Sequence, residues 1–144
     1  MWFLQLCMSI AHAWTQPADA NEWYVINDTV MGGVSQSQVS AHPEGGLVFS
    51  GKLSLDNNGG FTSTRTEGLP RDWSEVSALQ MQVEGDGRSY IATVRTPSRA
   101  LRRIYYRHPF KTVAGEQTTI TLSLADFEAY TFGQRVPNAP SLTQ

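Results

Sequence analysis

Apolar and polar positions alternate along several short stretches of the chain, and nowhere is a helical period sustained, which predicts strands. Trp23-Tyr24-Val25-Ile26 reads as an apolar, aromatic strand, and Ser35 to Ser40 as an extended polar run beyond it. Leu47, Phe49, Gly51, Leu53 and Leu55 share one face of a half-buried strand. Phe61 to Thr66 alternates again, with β-branched residues that suit a sheet. Ala78 to Glu84 turns Leu79, Met81 and Val83 inward, and the Gly85-Asp86-Gly87-Arg88 turn joins it to Ser89–Thr96. That pair is expected to form a hairpin. Thr118 to Leu124 is one more alternating strand, closed by Ala125-Asp126-Phe127.

The connections carry turn chemistry. Asn27–Ser35, His42–Gly46 and Asp56–Gly60 are rich in Gly, Asn and Asp, which tolerate left-handed backbone or bond their own main chain. Glu67 to Ser77 is polar and irregular, with Trp73 expected to tuck beneath its turn. After Tyr130 the tail holds Phe132 and Val136 and then becomes Pro-rich and polar. Short strands, such turns and no internal repeat indicate a single all-β domain, a sandwich or jelly roll.

Composition changes this picture little. The 144 residues suffice for a core without disulfides or metals. A net charge of −2 supplies no overall basic field, so no nucleic-acid partner is expected. Cys7, alone and among Leu4, Leu6 and Met8, reads as a member of an apolar segment rather than a nucleophile. Residues 1–13 admit three readings: a signal that starts further upstream, a short export signal, or a first strand. Ala11-His12-Ala13 has the small-x-small form of a cleavage site, although no Lys or Arg precedes it. Export is the preferred reading. It makes residues 14–144 the domain and places the protein in the periplasm or outside the cell, with the cytoplasm as the alternative. The run is too short for a stable membrane span.

Candidate chemistry is sparse. His12, His42 and His108 are the only imidazoles, and no Gly-x-Ser-x-Gly turn exposes a serine. Asp28 and Asp86 are the candidates for a carboxylate pair of the glycosidase kind. Both stand beside glycines, where turn chemistry alone selects aspartate, so structural roles are expected. Asp56-Asn57-Asn58-Gly59 opens like a calcium loop but lacks the closing acid, and no metal or cofactor is expected. Arg99 to Arg107 interleaves arginines with Tyr105 and Tyr106, a composition suited to a sugar or protein surface.

Four motifs occur in order: Trp23-x-x-x-Asn27-Asp28-x-Val30-Met31-Gly32-Gly33-Val34-Ser35, Phe49-Ser50-Gly51-x-Leu53-Ser54-Leu55, Asn57-Asn58-Gly59-Gly60-Phe61-x-Ser63-x-Arg65, and Gly85-Asp86-Gly87-Arg88-x-Tyr90. Together they resemble the complex I intermediate-associated protein 30 family, whose mitochondrial members assist assembly of NADH:ubiquinone oxidoreductase. The resemblance runs from about Pro17 to Val136. It implies an all-β, galactose-binding-like jelly-roll β-sandwich and no catalytic residue. The family domain usually continues into a further apolar strand or two, so the chain is expected to be short of its C-terminal strands. Without a mitochondrial-type presequence it looks like a bacterial member.

The resulting expectation is a non-catalytic protein-binding or assembly-factor domain, with respiratory-chain subunits as candidate partners. The alternative is a carbohydrate-binding module, and fold alone does not decide between them. The candidate partner or ligand surface comprises Asn27, Asp28, Met31, Asn58, Arg65, Asp86, Arg88 and Tyr106. Met31 is expected to insert into the core or a neighbouring loop. Arg65 and Asp86 are expected to serve as internal hydrogen-bonding partners.

Overall fold

The computed structural model describes the backbone of Phe3–Ser9 and Trp14–Thr15, and residues 19–67, 69 and 72–142. The described chain is all-β, with twelve strands. They are β1 (Phe3–Ser9), β2 (Trp14–Thr15), β3 (Trp23–Asn27), β4 (Gln36–Ala41), β5 (Leu47–Lys52) and β6 (Thr62–Thr66). The second half contributes β7 (Ala78–Glu84), β8 (Ser89–Val94), β9 (Tyr105–Lys111), β10 (Gln117–Ser123), β11 (Glu128–Thr131) and β12 (Gln134–Arg135). A six-stranded sheet runs β10-β7-β1-β5-β4, with β2 also paired to β1; a second runs β12-β11-β9-β8, and β3 pairs with β6. Every named pairing is antiparallel.

The core lies between the two larger sheets, and period-two patterning puts it there. Leu79, Met81 and Val83 of β7 face inward as the alternation predicts, alongside Val76, Leu122 and Leu124. Tyr106, Phe127 and Ala129 meet them from the other side. Trp73 packs partly buried against this cluster, beneath its turn. Full burial of each such large apolar side chain contributes about 1.5–3 kcal/mol.

Two expectations need correction. First, β7 and β8 do not form a hairpin; they belong to different sheets. The Gly85–Arg88 turn carries the chain across the sandwich, because its polar backbone groups find partners in the 112–115 segment. Gly85 O accepts from Gly115 N at 3.3 Å, Gly87 N donates to the Thr112 hydroxyl at 3.1 Å, and that hydroxyl donates to Arg88 O at 2.8 Å. β7 meanwhile pairs with β1 on one side and β10 on the other. Consecutive strands that do pair as hairpins include β4–β5, β8–β9 and β11–β12.

Second, the alternation that begins at Leu47 does not continue to Leu55. The β4–β5 ladder ends at Gln36↔Lys52, and Ser54 N turns away to donate to the Ser35 hydroxyl at 3.0 Å. Leu53 and Leu55 are thereby left exposed. The backbone of Phe3–Ser9 pairs with β5 on one side and with β7 on the other. The Cys7 side chain and His12 lie outside the described residues.

Leu124 is 1% exposed at the centre of the core. Replacing it with alanine is expected to cost about 2–5 kcal/mol, through lost burial and the cavity left behind. Urea unfolding checks this: the midpoint should fall while the slope stays unchanged.

Candidate functional site

The site is built from two loops that the β3–β6 ladder brings side by side. Its register pairs Asn27 with Thr62, so Asp28 falls opposite Phe61, and Asp28 N donates to Phe61 O at 3.2 Å. From Asp28 the chain makes a single 3-10 turn to Met31 and reverses at Gly32, where φ is +90°. The reversal returns Gly33 beneath the turn, with Gly33 N donating to Asp28 O at 3.0 Å. Asn57 and Asn58, with φ of 55° and 58°, fold the second loop back in the same way. The Asn57 side-chain amide then crosses to Gly32 O at 3.1 Å.

The two loops close on one carboxylate. Asp28 is fully buried, and four donors converge on it. Ser35 N donates to Oδ1 at 2.9 Å and the Ser35 hydroxyl to Oδ2 at 2.5 Å. Gly60 N and Phe61 N donate to Oδ2 at 2.6 and 3.4 Å. The hydroxyl has one proton, and the carboxylate at 2.5 Å is a better acceptor for it than Ser54 O at 3.3 Å. The Ser35 hydroxyl bond is the main influence holding the Asp28 carboxyl below its ordinary 3.8; burial opposes it, and the Gly60, Ser35 and Phe61 N–H groups reinforce it.

The glycines of both motifs have a steric explanation. A Cβ on Gly33 would run into the Asp28 carboxyl group, and one on Gly59 would lie 2.5 Å from Asp28 Oδ2. Any side chain at either position would displace the carboxylate from its donors.

Asn27, Asp28, Met31 and Asn58 are therefore brought together, but not as a polar cleft. Asn27 Oδ1 accepts from the Ser37 hydroxyl at 2.6 Å. Met31 is 67% exposed, so it does not enter the core: the 3-10 turn directs its Asp28 end inward and leaves the Val30–Met31 end at the surface. Arg65 is an exposed residue of β6 whose Nε donates to the Ser63 hydroxyl within the same strand, at 3.2 Å. Its expected internal tie is thus a local one.

Asp86 and Arg88 form a separate cluster. Asp86 accepts from Arg88 N and from the Tyr90 hydroxyl, each at 3.0 Å, and the Arg88 guanidinium stands 3.6 Å away. Burial is the largest single influence on Asp86 and pushes its carboxyl up. The Arg88 N–H, the Tyr90 hydroxyl and the guanidinium together outweigh it and hold the carboxyl below 3.8. Tyr106 belongs to neither cluster and presents no surface, being 1% exposed, with its hydroxyl donating to Pro140 O at 2.7 Å. A concavity of about 380 Å³ lies beside it, between residues 125–129 and 135–141. Among the described residues no three His, Cys, Asp or Glu side chains gather where they could hold a metal ion.

What the sequence missed is Ser35 and the Gly60–Phe61 amides as the partners of Asp28. Aspartate in a turn normally bonds the main chain two residues on. These partners lie 7, 32 and 33 residues away, and only the co-occurrence of two Gly-Gly motifs hints at them.

Asp28→Asn is expected to lower the urea midpoint by more than Asp86→Asn does, because an amide cannot accept from all four donors. Gly59→Ala should act in the same direction. Since folding lowers the Asp28 carboxyl, its stabilisation is fully present above 3.8 and lost as pH falls through the lower folded value. Melts between neutral pH and pH ~2 should show wild type and Asp28→Asn converging only in that acid range.

The comparison with known families gives one assignment. The model of the family described as complex I intermediate-associated protein 30 matches residues 12–144. No individually curated protein matches significantly. The matched span contains both loops, the Asp28 carboxylate they share and both larger sheets apart from β1, and the chain belongs to the complex I intermediate-associated protein 30 family.

Proposed function

We propose that the chain is a non-catalytic, protein-binding domain that assists assembly of respiratory complex I, and that it meets its partner through the loops closed on Asp28. The observation that supports this reading is the combination of rigidity and apolar exposure there. Val30, Met31 and Leu55 are 71, 67 and 81% exposed, on loops whose backbones are cross-tied beneath them. Val34, Leu53 and Phe61 add exposed apolar area on the same two loops. Clustered exposed apolar side chains mark interaction sites, and prior rigidity lowers the ordering cost of binding. Family membership supports a setting in complex I assembly, and subunits of the NADH:ubiquinone oxidoreductase are the partners this reading names.

The same features argue against chemistry at Asp28. Its lone pairs are taken by four donors and its proton affinity is lowered, which suits a structural anion and not a general base. No helix among the described residues is long and apolar enough to cross a membrane.

Met31→Asp combined with Leu55→Asp tests the assignment. Affinity capture of respiratory-chain subunits by the tagged protein should fall by about tenfold or more, as for loss of apolar anchors. Stability should change by no more than about 0.5 kcal/mol, because both side chains are exposed. Undiminished capture by the double variant would assign binding to another face. A sugar-dependent melting shift without any subunit capture would replace the reading with a carbohydrate-binding module.

A further inference from the structure

The outward face of the β12-β11-β9-β8 sheet carries a second surface of different chemistry. Tyr106 and Ala129 point into the core, so period-two alternation turns Tyr105, Arg107, Glu128 and Tyr130 to the opposite side. There the side chains form a ladder. The Arg95 guanidinium lies 5.2 Å from the Tyr105 ring centre, Tyr105 stacks on Tyr130 at 6.1 Å, and the Arg107 guanidinium lies 5.0 Å from the Tyr130 ring centre. Lys111 and Arg135 continue the face along β9 and β12, and the loop between β8 and β9 adds the exposed Arg99, Arg102 and Arg103.

This region holds seven of the chain's eleven cations in a protein of net charge −2. The carboxylate on the ladder face is Glu128, which is engaged by Arg135 at 2.8 Å and by the Tyr130 hydroxyl at 3.2 Å. The rest of the molecule is correspondingly acidic.

We infer that this face binds an acidic polypeptide segment, its carboxylates held by the stacked Arg95 and Arg107 guanidiniums. The tyrosine rings attract the guanidiniums placed over them, and a guanidinium's planar fork of N–H donors suits bidentate pairing with carboxylates. The ladder also argues against other anions. Each tyrosine ring has a guanidinium on it and stacks against the other ring, which leaves little face for the base stacking that single-stranded nucleic acid depends on. A duplex or a membrane would extend past the patch and meet the acidic remainder, whereas a short acidic segment fits within it. The inference concerns a different sheet from the Asp28 loops and does not depend on what those loops bind.

The test uses the full chain and a short fluorescent peptide of alternating Glu and Asp, titrated at low and at physiological salt. Saturable binding that weakens with salt is expected. Arg95→Gln with Arg107→Gln should reduce affinity by about tenfold or more, and Arg95→Lys with Arg107→Lys should lose most of the same, because lysine keeps charge but not the planar fork. Lys52→Gln, at the end of β5 in the other large sheet, should bind as wild type. Should the Arg95/Arg107 variants unfold, Arg99→Gln with Arg102→Gln and Arg103→Gln provides the same comparison and should weaken binding.

Four results would overturn the inference. They are no saturable binding, equal binding by the glutamine variants, tighter binding to an oligothymidylate of equal length or to vesicles of anionic phospholipid, and self-association that the substitutions abolish. The last would assign the face to a second copy of this chain.

Discussion

The described fold of the first half of the chain depends on a single buried anion. The Asp28 carboxylate is removed from water and compensated by the Ser35 amide and hydroxyl and by the amides of Gly60 and Phe61. Among the described residues no cation is involved. A buried charge without such donors would be costly, and backbone amides supply them only where the main chain itself approaches closely. That requirement removes side chains from Gly33 and Gly59. It also draws Ser54 out of the β5 direction, since the Ser35 hydroxyl that donates to Asp28 accepts from Ser54 N. One electrostatic demand thus dictates the glycines, the end of a strand and the conformation of two loops.

The consequence for the surface is direct. Because the polar backbone groups of both loops turn inward to the carboxylate, their apolar side chains turn outward. Met31 and Leu55 are exposed for the same reason that Asp28 is buried. A loop cluster held by hydrophobic insertion would have the opposite arrangement, with methionine inside and the carboxylate in water. The anion-centred construction therefore presents an apolar face without requiring it to be mobile, a property that suits the docking role proposed for these loops.

The sequence was most readable where structure is local. Period-two alternation identified the inward face of β7, and the turn at His42–Gly46 separated β4 from β5 correctly. It failed where the deciding partner is distant. Gly85–Arg88 has the composition of a hairpin turn, but its backbone bonds to Thr112, more than twenty residues on, which accepts from Gly87 N and donates to Arg88 O, and β8 joins the other sheet. Leu53 and Leu55 continue the alternation of β5, yet Ser35 on another loop ends that strand early. Asp28 was recognisable as a structural aspartate, but not as the meeting point of two motifs. Tyr106 lies beside the arginines in sequence, but its neighbour Tyr105 is the one on their face.

That last contrast exposes how charge is organised in this protein. Adjacent residues of β9 serve opposite ends: Tyr106 seals the core and anchors the 139–142 segment through Pro140, while Tyr105 supports a guanidinium at the surface. The anion at Asp28 is satisfied internally by neutral donors, so it recruits no arginine. The cations collected on the second sheet are consequently not needed to neutralise the buried charge. Among the described residues the ion pairs are Arg88 with Asp86 and Arg135 with Glu128, and both are exposed pairs of the kind that contributes about 0–1 kcal/mol. An arginine ladder of this sort has little to do for the fold itself. Arg95 and Arg107 lie over neutral aromatic rings, an arrangement in which charge can serve recognition more than stability.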